Sequence, residues 1–361
     1  MSEHKVYRAI GLMSGTALDG EIDVALVETD GHAFVKPLGF YAHPYDLSVR
    51  DNVRACFGKR VPDAQTREAE ALVTDLHIAA VKASGFEADV IGFHGQTITH
   101  APKDSFTWQL GDGAWLAVET GMDVVNDFRS ADMKAGGQGA PLTPLYHAAI
   151  MVGQDKPVAV LNLGGVANVT YIAEDGDLCA FDCGPGNALM DDFIKHRRGV
   201  AFDKDGMLAS KSLPHVGILE GFLADDYFSL PGPKSLDRNS WSVDIVRDLS
   251  DEMGMATLFA MSVGAIEKSV KGLPNVPKVI YVAGGGRKNK YLMEVLSKRL
   301  GGFWRPKSKM KSIDDVGYDG DAIEAECFGY LAVRSLLGLP LSLPETTGIA
   351  RPVSGGVLHK A

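Results

Sequence analysis

Two stretches of the chain repeat one pattern, and this repetition constrains the fold more than any other feature. Residues 9–31, AIGLMSGTALDGEIDVALVETDG, are typical of an apolar strand, a turn of small residues, a second strand and an acidic turn. Residues 157–177, PVAVLNLGGVANVTYIAEDGD, follow the same order. Each hairpin precedes alternating strands and helices, which predicts two α/β halves with a weak internal duplication.

Periodicity and end signals predict the main elements. The ranges that matter most are 6–14, 22–29 and about 33–41 for strands, and about 63–84, 242–271 and 321–337 for helices. Asp63 can cap the first of these helices and Gly85 can end it. Residues 200–241 are rich in Pro, Gly, Ser and charge, which indicates an insertion or a surface lid.

A chain of 361 residues is too long for one ordinary core, so we expect two lobes. The predicted N-terminal lobe is 1–145 with the first glycine turn. The predicted C-terminal lobe is 146–361 with the second turn, and its C-terminal tail is expected to pack back on the first lobe.

Charge and cysteine content exclude several classes of protein. The net charge of −10 argues against a nucleic-acid or anionic-membrane binder. The 4 cysteines lack zinc or CxxC spacing and suit a reducing compartment. The start, MSEHKVYRAIG, has no apolar secretion core, and no apolar run reaches ~18 residues. We therefore expect a cytoplasmic protein.

The two glycine turns are candidate anion sites. In SGTALDG, backbone N–H groups and the hydroxyls of Ser14 and Thr16 can surround phosphate, and Asp19 can hold hydrated Mg²⁺. An ordinary Asp-Gly hairpin turn explains the same residues. The turn in NLGGVANVT, residues 162–170, can complete a polyphosphate clamp between the lobes, or can be only a tight turn.

Several isolated polar residues have two interpretations each. Asp182, expected at a strand end, can be a general base or a helix-entry residue. Arg129 can pair with a substrate carboxylate or form an interdomain salt bridge. His94 and Gln96 can bind a ligand, although a buried histidine with backbone partners is commoner. Glu324 has capping-box spacing from Asp321.

Nine motifs occur in an order that resembles one family. They are GLMSGTALDG, GFHGQTITHAP, WQLGDG, DFRSADMKAGGQGAPLTPLYH, LNLGGVANVT, FDCGPGNALMDD, DKDGMLA, VAGGGRKNKYLM and DAIEAECFGYLA. Together they resemble the anhydro-N-acetylmuramic acid kinases over nearly the whole chain. The resemblance implies the two-lobed, actin-like ATPase fold, related to ribonuclease H, with duplicated α/β halves and an ATP cleft between them.

The resemblance also implies an activity. ATP and Mg²⁺ would serve to open 1,6-anhydro-N-acetylmuramic acid with one water and to phosphorylate O6, giving N-acetylmuramic acid 6-phosphate in cell-wall recycling. A homodimer is implied as well. Two alternatives stay open at this point: a kinase of another sugar, and a nucleotide-gated ATPase of the same fold without kinase activity.

Site residues follow from the matching motif positions. Asp182 matches the catalytic base, and Asp19 the metal ligand. The ATP-binding residues implied are Ser14, Gly15, Thr16, Ala17, Leu18, Asp19, Gly20, Gly164, Gly165, Asn168, Gly284, Gly285, Gly286 and Asn289. The sugar-binding residues implied are His94, Gln96, Arg129, Gly184, Gly186, Asn187 and Glu324.

The sequence departs from the family pattern at four positions. Ala17 replaces a serine in the first turn, and Cys183 stands beside Asp182 where threonine is expected. Arg287 replaces a smaller residue and could contact adenine or phosphate. Glu21 is an additional residue that either shifts Asp23 to the other face of its strand or is absorbed as a bulge.

Overall fold

The structure is a computed structural model that describes residues 4–15, 18, 20–46, 48–238, 240–303 and 308–361. It divides into two compact units. The first unit contains Met1–Gly153 and Ala322–Ala361, and the second contains Gln154–Asp321. Residues 146–153 thus lie in the first unit, whereas the boundary predicted from the sequence assigned them to the second lobe. Residues 322–361 also lie in the first unit, the lobe on which the C-terminal tail is expected to pack.

The strands and helices are numbered in chain order. The strands are β1 Tyr7–Met13, β2 Glu21–Thr29, β3 Val35–Pro44, β4 Val90–Phe93, β5 Gln96–Ala101, β6 Phe106–Leu110, β7 Asp123–Asn126, β8 Val158–Leu163, β9 Val166–Ile172, β10 Leu178–Pro185, β11 Val279–Ala283, β12 Lys309–Ser312 and β13 Val357–His359. The helices are α1 Ser48–Arg54, α2 Ala64–Ser84, α3 Gly113–Thr120, α4 Ser130–Lys134, α5 Pro144–Ile150, α6 Ala188–Arg198, α7 Val216–Leu223, α8 Asp251–Lys271, α9 Lys290–Phe303, α10 Ile323–Leu336 and α11 Pro344–Thr347.

The main sheets of the two units share one topology. The first has the order β13-β7-β4-β1-β2-β3, and the second has the order β10-β9-β8-β11-β12. In each, the first three strands form an antiparallel meander, and two further strands add in parallel beside the first strand. The predicted duplicated α/β fold of the actin-like type is therefore confirmed.

Helix α10 explains why a late part of the chain belongs to the first unit. Its backbone lies directly on the sheet, since a Cβ at Gly11 would come within 1.7 Å of the Ala325 carbonyl oxygen. A Cβ at Gly92 would come within 2.0 Å of the Phe328 oxygen. Glycine on two adjacent strands thus makes this close approach possible, and β13 then pairs with β7 at the sheet edge.

Local signals account well for the other helices. Asp63 and Thr66 form a capping box at the start of α2, and Gly85 ends it in the left-handed region, as predicted. Helix α8 begins at Asp251 rather than near 242, because Ser250 caps it by accepting a hydrogen bond from the Met253 N–H.

None of the helices in the described part of the chain is long and apolar enough to cross a membrane.

Candidate active site

Gly164 and Gly165, the second glycine turn, rest on the N-terminus of α6. The N–H of Asn187 donates to the Gly164 carbonyl at 2.8 Å, and the N–H of Gly186 donates to the Gly165 carbonyl at 2.9 Å. In a trans peptide the carbonyl and the N–H point in opposite directions, so the N–H groups of Gly165 and Val166 point away from this helix. Outward N–H groups on a tight turn are typical of anion sites.

The glycine triplet Gly284–Gly286 packs against the same turn. A Cβ at Gly284 would lie 2.4 Å from the Asn162 Oδ1, and a Cβ at Gly286 would lie 2.6 Å from the Leu163 Cβ. The Asn187 Nδ2 donates to the Leu163 carbonyl at 2.9 Å. The second unit therefore brings three predicted loops together: the second glycine turn, the turn before α6 and the glycine triplet.

Three other residues of these loops, Asn289, Asn168 and Gly285, were also predicted to bind ATP, and each has different neighbours. The Asn289 Oδ1 accepts a hydrogen bond from the Leu292 N–H at 3.1 Å, so this side chain stabilises the start of α9. The Asn168 Oδ1 is buried and has no hydrogen-bond partner among the described residues. A Cβ at Gly285 would meet no atom of the described residues within 4 Å, which leaves space beside the triplet.

Asp182 lies within β10, which continues to Pro185 rather than ending at Asp182 as predicted. The pairing of β10 with β9 is irregular between Asp182 and Gly184, where Gly184 has a φ of 151°. Such a bulge re-aims neighbouring side chains. Asp182 is only 6% exposed, and its Oδ2 accepts a hydrogen bond from the Leu236 N–H at 2.8 Å.

The segment predicted as an insertion or lid holds Asp182 from several sides. The Asp182 N–H donates to the Lys234 carbonyl at 2.9 Å. The Tyr227 hydroxyl donates to the Asp182 carbonyl at 2.6 Å. The Lys234 ammonium lies 4.4 Å from the Tyr227 ring centroid and donates to the carbonyls of Tyr227 and Leu230. Sequence analysis missed Tyr227 and Lys234 because no local motif links them to Asp182.

Burial sets the protonation of the groups around Asp182. It lowers the pKa of Lys234, and it raises the pKa of the neighbouring Cys183 thiol to about 12. Burial and then the charge of Asp182 raise the pKa of the Tyr227 hydroxyl, so it stays a donor at neutral pH. Asp182 is thus buried, and hydrogen bonds fix both its main chain and one carboxylate oxygen.

The first glycine turn is described only in part. Thr16, Ala17 and Asp19 lie outside the described residues. The Ser14 side chain is buried, and its hydroxyl has no hydrogen-bond partner in the part of the chain that the structure describes. The Gly15 carbonyl accepts a hydrogen bond from the Leu18 N–H at 3.1 Å.

The additional residue Glu21 is accommodated as the first residue of β2. The β1–β2 ladder runs from Tyr7–Thr29 to Met13–Asp23 without an irregularity. Of the two outcomes considered for Glu21, a bulge in this ladder is therefore excluded. Gly20, which precedes β2, has a φ of 102° and accepts a hydrogen bond from the Tyr45 N–H at 2.7 Å.

His94 and Arg129 form a hydrogen-bonded pair in the first unit. The Arg129 Nε and Nη2 both donate to the His94 Nε2, at 3.1 and 2.9 Å, and the Arg129 Nη1 donates to the Gly139 carbonyl at 2.6 Å. The His94 Nδ1 donates to the Gly95 carbonyl at 2.8 Å. Burial and then the Arg129 charge hold the pKa of His94 well below its ordinary range, so the ring is neutral.

A cavity of about 220 Å³ opens beside His94. It lies where the parallel strands β4 and β7 end, because His94 follows β4 and Asp127 follows β7. The polar residues that line it, beyond His94 itself, are Thr107, Trp108, Gln109, Asn126, Asp127 and Ser130. Sequence analysis did not select these six, although Trp108 and Gln109 belong to the WQLGDG motif and Asp127 and Ser130 flank Arg129.

Gln96 and Glu324 have different surroundings. Gln96 is buried and lies near the first glycine turn, in a crevice shared with Ser14 and Leu18. The capping box expected from Asp321 and Glu324 is wrong, since Ala322 is the N-cap of α10 and none of the described side chains caps this helix. Glu324 and Arg129 are both close enough to the buried Cys327 to act on its pKa, in opposite directions.

Asp321 pairs instead with Arg287, in a cluster that includes Asp314 and Asp319. The Arg287 side chain is 6% exposed and donates to Asp321 at 2.7 Å and to Asp314 at 2.8 Å. Burial lowers the pKa of Arg287, but the hydrogen bonds to Asp321 and Asp314 together outweigh burial and raise the pKa above its ordinary value. Its guanidinium therefore holds the 314–321 segment, in contrast to the suggested adenine or phosphate contact.

The described residues contain no group of three His, Cys, Asp or Glu side chains that could hold a metal ion. Mg²⁺ in phosphoryl-transfer sites needs no such group, because phosphates and waters supply most of its ligands beside one or two carboxylates. The buried Ser14 hydroxyl, which has no described partner, fits the edge of such a site.

Comparison with known proteins agrees with these motifs. The family described as "Anhydro-N-acetylmuramic acid kinase" matches residues 7–361. A curated relative of that name from Rhizorhabdus wittichii is 46% identical, over 98% of this chain and 98% of its own. Those from Zymomonas mobilis and Rhodospirillum rubrum are 45% and 47% identical, over 97% and 98% of this chain and 99% and 94% of their own. The chain therefore belongs to the anhydro-N-acetylmuramic acid kinase family.

Proposed function

We propose that this protein uses ATP to convert 1,6-anhydro-N-acetylmuramic acid to N-acetylmuramic acid 6-phosphate and ADP. The observation that carries the proposal is the family match over residues 7–361, with similarity over nearly the full length of each relative. Its structural support is a buried carboxylate, Asp182, in the same unit as a glycine turn whose N–H groups suit phosphate.

Asp182 acts as the general base. It takes a proton from one water, whose oxygen forms a bond to the anomeric carbon while the bond from that carbon to O6 breaks. O6 keeps the electron pair and attacks the γ-phosphorus in line, and the bond to the bridging oxygen of ADP breaks. The proton on Asp182 then leaves to solvent, so one water is consumed for each phosphoryl transfer.

The nucleotide phosphates bind at the two glycine turns. The N–H groups of Gly165 and Val166 serve as donors in the second turn, and the Ser14 hydroxyl serves as a donor in the first. Mg²⁺, when bound, neutralises charge on the phosphates during transfer. Asp19 is the proposed protein ligand, and it lies outside the described residues.

The sugar binds in the first unit beside His94 and Arg129. The neutral His94 accepts two hydrogen bonds from Arg129 and so fixes the plane of its guanidinium. A planar guanidinium pairs well with a carboxylate, and the lactyl group of the substrate supplies one. The cavity of about 220 Å³ is polar and takes the sugar ring. Cytoplasmic location and a homodimer remain predictions.

The test is ³¹P NMR of the protein with MgATP and the anhydro sugar, for wild type, Asp182→Asn and Asp177→Asn. Asp177 is an exposed carboxylate in the turn before β10 and serves as the matched control. We expect a sugar 6-phosphate signal from wild type and the control, and its loss in Asp182→Asn.

Other outcomes would identify the alternatives. A 6-phosphate signal that persists in Asp182→Asn would remove Asp182 from the role of base. ATP hydrolysis without sugar phosphate would favour the nucleotide-gated ATPase. Phosphorylation of an ordinary hexose, with the anhydro sugar untouched, would favour a kinase of another sugar.

A further inference from the structure

Arg238 belongs to residues 200–241, the segment whose Lys234 and Leu236 form hydrogen bonds with Asp182. It lies beside the second glycine turn. Its Nε would be 3.7 Å from a Cβ placed on Gly165. Its side chain is 16% exposed, and its Nη2 donates to both carboxylate oxygens of Asp192 at 3.0 Å. Asp192 belongs to α6, the helix whose N-terminus supports the turn. The guanidinium is thus anchored to α6 through one nitrogen, while its Nε lies next to Gly165.

The Arg238 Nε has no such partner. It is buried, and no hydrogen-bond acceptor for it exists among the described residues. A buried donor without an acceptor costs free energy, so native proteins rarely keep one unless a ligand or an ordered water completes it. A guanidinium edge suits an acceptor with several oxygens and negative charge.

The acidic groups near Asp192 repel such an anion only weakly, because their charge is reduced or taken up by hydrogen bonds. Burial and then the charge of Asp192 raise the pKa of Asp191 to about 7, so this carboxyl carries only part of its charge near neutral pH. Both oxygens of Asp203 accept backbone hydrogen bonds, from the N–H groups of Leu208 and Ala209. Among these groups, Asp192 is the one that pairs with Arg238.

We infer that Arg238 binds a phosphoryl oxygen at the second glycine turn. The inference rests on the proposed function, which places phosphates at this turn, and it adds a cationic ligand that the motif of this turn, LNLGGVANVT, does not contain. The phosphoryl group belongs either to the nucleotide or to the phosphorylated sugar product. The two sources share one chemistry, and the experiment separates them.

The test measures binding to wild type, Arg238→Lys and Arg198→Lys by calorimetry. Lysine retains the charge and can still pair with Asp192, but it has no Nε–H on a planar edge. Arg198 is the matched control, because it also pairs with carboxylates, Asp251 and Glu252, at the other end of α6. Thermal unfolding of each variant checks that it is folded. The probes are adenosine, AMP, ADP and N-acetylmuramic acid 6-phosphate.

We expect Arg238→Lys to weaken binding of one phosphorylated probe about tenfold or more, with adenosine unchanged and Arg198→Lys like wild type. A loss for ADP assigns the oxygen to the nucleotide. A loss for the sugar phosphate alone assigns it to the product. Wild-type affinity of Arg238→Lys for every probe would overturn the inference.

Failure of the proposed function can be distinguished from failure of the inference about Arg238. A wild-type protein that binds ADP but does not phosphorylate the anhydro sugar would contradict the proposed reaction. The affinity of Arg238→Lys for ADP would still test the role of Arg238.

Discussion

Arg129 donates two hydrogen bonds to a single atom, the Nε2 of His94, at 3.1 and 2.9 Å. The arrangement requires a neutral ring with its proton on Nδ1, and this N–H donates a hydrogen bond to the Gly95 carbonyl at 2.8 Å. The buried histidine is thus the acceptor that orients a cation. Neither residue is explained by its own sequence neighbourhood, since 35 positions separate them.

Replacing Arg129 tests whether this cation contacts the substrate carboxylate. We expect Arg129→Lys to lower kcat/KM about tenfold to a hundredfold, because lysine cannot offer a planar pair of donors. With the anhydro sugar that lacks the lactyl group, wild type and variant should be equally poor. Steady-state kinetics on both substrates measures this, and an equal loss on both would assign Arg129 to a structural role.

Tyr227 is expected to act on Asp182 as a positioning residue. Tyr227→Phe removes the hydroxyl that donates to the Asp182 carbonyl at 2.6 Å, which should cost about 1–3 kcal/mol of unfolding free energy. We also expect kcat to fall with little change in KM. Tyr281→Phe is the control, since its hydroxyl donates to Gln154 at 2.7 Å in the same unit. Equal kcat in the two variants would contradict the prediction.

Two glycines of the second unit should respond differently to alanine. A Cβ at Gly186 would lie 2.2 Å from the Gly164 carbonyl oxygen, so Gly186→Ala should lose about 1–3 kcal/mol of stability. Gly285→Ala should unfold like wild type, because no atom in the described part of the chain lies within 4 Å of its Cβ. If the triplet contacts the nucleotide, Gly285→Ala weakens ADP binding. Denaturant unfolding and calorimetry measure the two effects separately.

Stability should fall below pH 6.5 partly through His77. Burial lowers the pKa of His77 to about 4 in the native state, from an ordinary value of 6.5. Protons therefore bind the unfolded chain first as the pH falls, and the native state loses stability from about 6.5 down to about 4. Above pH 6.5 both states are neutral and His77 makes no difference.

The measurement is urea unfolding at pH 7.5 and 5.5 for wild type, His77→Gln and His196→Gln. His77→Gln should lose about 1 kcal/mol less than wild type over this interval, since one unit of pKa corresponds to about 1.4 kcal/mol. His196 is exposed on α6, and its variant should behave like wild type. The same pH slope in all three proteins would mean that His77 titrates normally.

The sequence by itself determined the local units and the chemistry of the motifs. Asp63 and Gly85 mark the ends of α2 because capping and left-handed turns depend on a few adjacent residues. The duplicated hairpins followed from hydrophobic alternation, and the family followed from short motifs in order. Gly164 and Gly165 could be selected for the same reason, since a tight turn requires residues that are close in the chain.

Only the tertiary structure decided which distant groups surround each site. Tyr227, Lys234 and Leu236 contact Asp182 across about fifty positions of sequence, through hydrogen bonds that local composition does not encode. Helix α10 lies in the first unit because Gly11 and Gly92 admit its backbone. Chain order cannot predict such a contact, since the free energy of burial depends on surfaces that meet only after folding.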